Sequence, residues 1–424
     1  MQFSRLFKKL PTHYYPAIVL ILPIIITCLF WRLAPSSLLN NDETDYTQFY
    51  LPVAQNILHG KGISFDGRIA LEYPPGYPLI LAATLAIVKP LHCSDMVLIP
   101  LCLSLCALLI FMMAKIFWDP ARALLASVAW CFYPFVYWAG MKQASEIPFM
   151  VVFYAGILCF LKGWRSSDHA KRLFFACGAL FGASMLIRPI AIGVGVLIAL
   201  TMLFWRERRF GKRIVFAACV IIGNIIAVLP WEAWVYHKTH EVVMLCKGRD
   251  SFSIYDGLTF AVWNPAGYRQ GTPVPRDVEQ FMKTLLAKYP PEATTTRRLF
   301  SIISAEFRHH PATVIKLFLI KAARSWYGTN SNRFEKIILL YQLIFMTMLV
   351  IAGTVFWRSR PQARFIVVVG AVFLFYFWGM SIMVLSIIRY LVPMLGLLLL
   401  LFPAIPIGSS SSFPKAVRSV KPTQ

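Results

Sequence analysis

Apolar runs recur along the chain at 15–33, 96–116, 121–139, 147–161, 173–187, 190–205, 214–231, 337–357, 365–383 and 390–407. Most come close to the length a helix needs to cross a hydrocarbon layer of about 30 Å. In lipid, every backbone N–H and C=O must be bonded within the segment or to a closed neighbour, so runs of this kind become helices. The expected fold is therefore an all-α polytopic membrane protein with about ten transmembrane helices. Composition agrees, with 58% of residues hydrophobic and only 14% charged. A soluble domain carries about 25% charged residues.

The formal net charge of +23 belongs to this membrane frame and does not point to a nucleic-acid partner. Its basic residues sit in short clusters between apolar runs, as in cytoplasmic loops. With all ten runs crossing, one side receives Arg5, Lys8 and Lys9, then Lys115 and Arg122, then Lys162, Arg165, Lys171 and Arg172. Arg206 to Arg213, Arg358 to Arg364, and Lys415, Arg418 and Lys421 follow on the same side. The positive-inside rule makes that side cytoplasmic, with both termini there.

Two further apolar pieces, 76–88 and 313–326, do not fit as spans. If 76–88 crossed alone, the densest basic clusters would move outside. It is also short and begins at two prolines, so it reads as re-entrant or interfacial. The piece at 313–326 carries Lys316, Lys321 and Arg324, which suits an interfacial helix. The run at 15–33 follows basic residues but is too long for a signal peptide and lacks a small-residue cleavage site, so it reads as an uncleaved span. Most of the nine cysteines lie inside apolar runs, and none has zinc-site spacing.

This threading divides the chain into an N-terminal transmembrane module at 1–231 and an outward-facing loop or small cap at 232–336. C-terminal transmembrane helices at 337–407 and a basic cytoplasmic tail at 408–424 complete it. The first outer loop, 34–95, opens with Asp42, Glu43 and Asp45 just past a span. Carboxylates there can serve as a general base or hold a divalent metal, although a run of charge is more often a solvated loop. Glu146 begins a later span on the same side, where it also complements the helix dipole. Glu72 stands beside Tyr73 and Tyr77 in a proline-rich turn. Acidic groups from three segments thus map to one side.

Arg188 and Arg389 lie at outer ends of spans, against the general bias of basic residues. A planar guanidinium in that place can pair with a lipid phosphate, or simply snorkel to the interface. His237 and His240, at i and i+3, could share a helical face and a metal, or be ordinary loop residues.

The order of short motifs resembles the GT-C superfamily of membrane glycosyltransferases. The order is Asp-Glu after the first span, Gly60-Lys61-Gly62, Pro75-Gly76-Tyr77-Pro78, Ser145-Glu146-Ile147-Pro148, Arg188-Pro189 and Arg389-Tyr390-Leu391-Val392-Pro393. The branch it most resembles holds the protein O-mannosyltransferases and lipid A aminoarabinose transferases. The resemblance implies a GT-C-like bundle with outward-facing loops and interfacial helices. It implies transfer of a sugar, with inversion, from a polyprenyl-phosphate donor to a glycan, lipid or protein hydroxyl at the outer face of a plasma or inner membrane. Asp42 or Asp45 would be the base, with Glu43 and Glu146 in the same catalytic group. Arg188, Arg389 and Tyr390 would bind the donor phosphate, and Glu72, Tyr73 and Tyr77 would position the loop. The interval from Asp-Glu to Ala54, Asn56, Leu58 and Gly60 is longer than the family pattern, which leaves Asp42 and Asp45 as alternatives. The family contains members with and without a divalent ion, so Glu43, Glu146, His237 and His240 stand as metal candidates.

Two other functions compete with this one. A lipid or sugar transporter would place charges near the membrane midplane, often in inverted repeats, and the sequence has neither. A non-catalytic envelope scaffold would not need acidic groups converging from three segments.

Overall fold

The computed structural model describes residues 11–34, 45–89, 91–141, 145–166, 168–204, 209–247, 249–259, 274–289, 295–329, 334–360 and 364–405. Asp42 and Glu43 lie outside them. Helix dominates the described residues, and the strands among them form one two-residue pair, β1 (Ser64–Phe65) with β2 (Arg68–Ile69).

The first half of the bundle comprises α1 (Tyr15–Leu33), α2 (Leu51–Leu58), α3 (Gly76–Ile87), α4 (Leu91–Ala114), α5 (Pro120–Cys131) and α6 (Pro134–Met141). It continues with α7 (Glu146–Arg165), α8 (Ala170–Ile187), α9 (Val194–Phe204) and α10 (Phe210–Thr239). Next come α11 (Arg249–Thr259), α12 (Arg276–Lys288), α13 (Thr296–His309) and α14 (Pro311–Arg324). The chain closes with α15 (Glu335–Ser359), α16 (Arg364–Met383) and α17 (Val392–Leu398), the last running on as a 3₁₀ helix over Leu399–Ala404.

Seven of the described helices are long and apolar enough to cross a membrane, which makes this a multi-pass membrane protein. An eighth candidate is a bent pair: α5 and α6 meet at 52°, where Pro134 prevents the helix from continuing. The expected spans at 190–205 and 390–407 are shorter apolar helices, Pro189–Phe204 and Val392–Ala404. Both begin beside a proline and a 3₁₀ turn, so the helical length falls short of the apolar run. The piece expected to be re-entrant is α3, a 12-residue helix. At 1.5 Å per residue it reaches only about 18 Å.

Close packing of α8 on α10 shapes the bundle near the site. Gly178 and Gly182 are four apart on α8, and a Cβ on Gly178 would collide with the Val220 carbonyl of α10. Gly223 meets the Phe175 carbonyl in the same way from the opposite side. Small residues at this spacing let two membrane helices approach to backbone contact. α7 packs on α8 and on α4, and the buried Tyr154 hydroxyl of α7 donates to the Pro393 carbonyl at 2.8 Å. That bond ties the start of α17 to α7.

The helices α11 to α14 share an apolar core of their own, around Tyr255, Val278, Met282, Leu299 and Leu317. Here the structure departs from the sequence pattern. Lys316 is exposed on α14 and pairs with Asp277 at 2.8 Å, whereas Lys321 and Arg324 are each 1% exposed. Those two charges do not face water. They are buried where α14 packs on α16.

Candidate active site

A cavity of about 410 Å³ opens at one end of the bundle. Among its lining residues are Asp45, Glu72, Tyr73, Glu146, Arg188, Arg389 and Tyr390. These come from the segment after α1, the turn before α3, the start of α7, the end of α8 and the break before α17.

Each segment has a local reason for its place. Glu146 is the first residue of α7 and is 2% exposed, so its charge also meets the helix N-terminus. Arg188 directly follows α8 with φ −143° and ψ 124°. The following Pro189 excludes the helical region for Arg188, which turns its side chain out of the helix line. Arg389 sits in a 3₁₀ turn, Ile388–Tyr390, between α16 and α17. Asp45 immediately precedes a π-helical turn, Tyr46–Tyr50, whose Tyr46 and Tyr50 are buried.

The charges meet on Glu146. Its Oε1 pairs with Arg188 Nη1 and stands 2.9 Å from Arg389 Nε. Arg188 Nη1 also donates to Ser145 Oγ at 3.3 Å. Tyr390 lies beneath both guanidinium groups, 5.4 Å from Arg188 and 6.0 Å from Arg389, within cation–π range. Burial is the largest single influence on Arg188 and opposes its charge, but Glu146 together with Tyr390 and Tyr50 outweighs it and holds the guanidinium above its ordinary pKa. One carboxylate against two arginines leaves this wall of the cavity net positive.

An aromatic brace supports the Asp45 side. Tyr50 packs against Tyr73 with centroids 4.8 Å apart and edge-on to Tyr77 at 4.9 Å. Tyr77 is 1% exposed and stands behind the lining. Burial pushes the Tyr50 phenol well above its ordinary range, opposed in part by Arg188. Glu72 reaches the cavity while pairing with Arg68 at 2.9 Å, and it accepts from the Leu71 N–H at 3.0 Å.

Of the residues singled out from sequence, Asp45, Glu72, Tyr73, Glu146, Arg188, Arg389 and Tyr390 come together, and Tyr77 braces them. His237 and His240 do not join. Both are exposed at the end of α10. Among the described residues no three His, Cys, Asp or Glu side chains stand close enough to hold a metal ion. Sequence reasoning gave no role to Tyr46, which follows Asp45, to Tyr50, or to Ser145, although Ser145 stands in one of its motifs. It also missed Ser253 and Asp256 of α11, which line the cavity. Asp256 sits in no motif, and only the packing of α11 over the cavity brings it there.

Residues 72–234 match the family model described as dolichyl-phosphate-mannose-protein mannosyltransferase. The matched segment begins at Glu72 and contains Tyr73, Glu146 and Arg188, four of the cavity-lining residues named above. Among solved structures the chain is similar to ArnT from Cupriavidus metallidurans bound to undecaprenyl phosphate, at 15% identity. That similarity covers 84% of this chain and 72% of the other with a TM-score of 0.42, too loose to carry residues across. A search of curated proteins gave no match.

Proposed function

We propose that the protein is an inverting glycosyltransferase that moves a sugar from a polyprenyl-phosphate donor to an acceptor hydroxyl at the outer face of the membrane. The observation that carries this reading is the convergence of Asp45, Glu146, Arg188 and Arg389 on one cavity. The family description for residues 72–234 supplies the donor class.

In the proposed reaction Asp45 takes the proton of the acceptor hydroxyl. The oxygen attacks the anomeric carbon from the face opposite the phosphate, forming the new C–O bond with inversion. The old bond breaks with its electron pair going to the phosphate oxygen. Arg188 and Arg389 hold the donor phosphate and stabilise the charge that grows on it, in a site partly shielded from water where such groups act strongly. Glu146 keeps both guanidinium groups on the cavity wall, a role that its pairing supports over that of base.

The outer location is supported by the other end of α7. Arg165, the last residue of the 20-residue helix that Glu146 begins, lies over the Phe117 ring, and Arg122 and Arg360 lie over the Trp118 ring. Basic loops from three places therefore gather at the far end from the cavity, about 30 Å away at helical rise. The positive-inside rule makes that end cytoplasmic.

Donor binding is the direct test. Replacing Arg389 or Arg188 with Ala removes a charge-assisted phosphate contact and should raise the KM for a polyprenyl-phosphate mannose donor by about tenfold or more. Unchanged donor KM in both variants would remove the phosphate role and with it this function.

A further inference from the structure

The segment that delivers Arg389 to the cavity is not helical, and buried cations hold it from behind. Between α16 and the turn at Ile388–Tyr390, the backbone of 384–387 leaves the helix. Val384 O accepts from Lys321 Nζ at 3.1 Å. Ser386 O accepts from Arg324 Nη1 at 3.3 Å. The Ile388 N–H donates to Gly328 O at 3.0 Å. Arg324 is itself fixed, with Nη2 on Glu335 Oε1 at 2.8 Å and on Thr329 O at 2.9 Å.

Glycines close the remaining space. A Cβ on Gly257 of α11 would land on the Val384 carbonyl, and one on Gly328 would crowd the Ser386 carbonyl. The cap thus meets this segment at backbone contact. Burying a lysine and an arginine is expensive unless their donors are met. Here each gives a donor to a carbonyl of the same short segment, which lies within five residues of Arg389. Burial pulls the Lys321 pKa down to about 7, with Arg324 adding to the shift and Asp256 opposing it. The amine donates to Val384 in either protonation state.

We propose that Lys321 and Arg324 are positioning residues: they fix the 384–388 segment, and through it they set where Arg389 stands in the cavity. Neither residue lines the cavity, and both act through the backbone they hold. This inference rests on the reading of Arg389 as the donor-phosphate ligand. It also makes the cap part of the site's architecture, since α14 supplies both residues.

The test uses the full-length protein in detergent with a polyprenyl-phosphate mannose donor. Lys321→Met removes the donor group and keeps the side-chain length. It should raise the donor KM by about tenfold with little change in kcat. The decisive comparison is the double variant with Arg389→Ala. If Lys321 works through Arg389, adding Lys321→Met to Arg389→Ala should change KM by less than about twofold. A further tenfold rise in that background would show an independent structural effect and overturn the proposal.

A second readout does not depend on transfer. In protein carrying Cys246→Ser, a cysteine at Leu385 should react with a small thiol reagent at a rate altered about fivefold or more by Lys321→Met, because thiol reactivity follows access. Gly328→Ala should act likewise from the other side of the segment, which serves if Lys321→Met does not fold. A cysteine at Met244, across the cavity, should react as in the parent. Unaltered labelling at 385 in both variants overturns the positioning role. Altered labelling in a protein whose parent transfers no sugar supports it and overturns only the proposed function.

Discussion

Glu146 has almost no contact with water, and two guanidinium groups point at one of its oxygens. Removing its charge takes a shared counter-ion from two arginines that are largely shielded from water. Glu146→Gln should therefore destabilise the protein by about 3–5 kcal/mol, the usual cost of breaking a buried pair from one side. Thermal unfolding in detergent should show a clear fall in Tm for this variant and a much smaller one for Asp45→Asn. Equal, small changes in both would mean that Glu146 is not the anchor of the arginine pair. The sequence disclosed Glu146 and Arg188 as an acid at a span's start and an arginine before a proline. It could not disclose that they touch, because 41 intervening residues form two antiparallel helices whose packing decides the contact. Lys321 and Arg324 show the opposite failure. Their charge suggested a wet helix face, and the packing of α14 on α16 buried them instead.

Among the elements, α8 matters most to the site because Arg188 follows its last residue. Its line is set by backbone contact with α10 through Gly178, Gly182 and Gly223. A methyl at Gly178 meets a carbonyl, not a flexible side chain, so the helices must part. Gly178→Ala should cost about 1–3 kcal/mol, as overpacking does, and should also weaken donor use by displacing Arg188. Gly211→Ala, on the same helix pair but with open space around it, should leave both Tm and donor KM at the parental values. Loss of stability of the same size in both variants would show that the close approach is not what matters. The spacing of Gly178 and Gly182 is visible in the sequence, yet its partner surface on α10 is not. The short and broken helices were also hidden, since hydropathy records an apolar run and not where proline ends the helix inside it.

For the molecule as a whole, the apolar runs and the basic loops propose an order of crossings through the membrane. The loop ends with Asp45, Glu146, Arg188 and Arg389, which that order puts on one side, line one cavity. α10 offers a test of sidedness within one helix, because Gly211 and His237 lie near its opposite ends and both are exposed. In intact cells a cysteine at 211 should be shielded from a membrane-impermeant thiol reagent and one at 237 should be labelled. The reverse pattern would put the cavity on the cytoplasmic side.

The most direct measurement of the central claim is sugar transfer by parent and Asp45→Asn protein from a polyprenyl-phosphate mannose labelled in the sugar, with a membrane extract as acceptor source. Asp45→Asn keeps the size and polarity of the side chain and removes its basicity. The account predicts that the parent moves label from the lipid to an acceptor with inverted anomeric configuration. It predicts that the variant, folded and nearly as stable as the parent, does so about 10²–10⁴ times more slowly. Transfer by Asp45→Asn at the parental rate would contradict it.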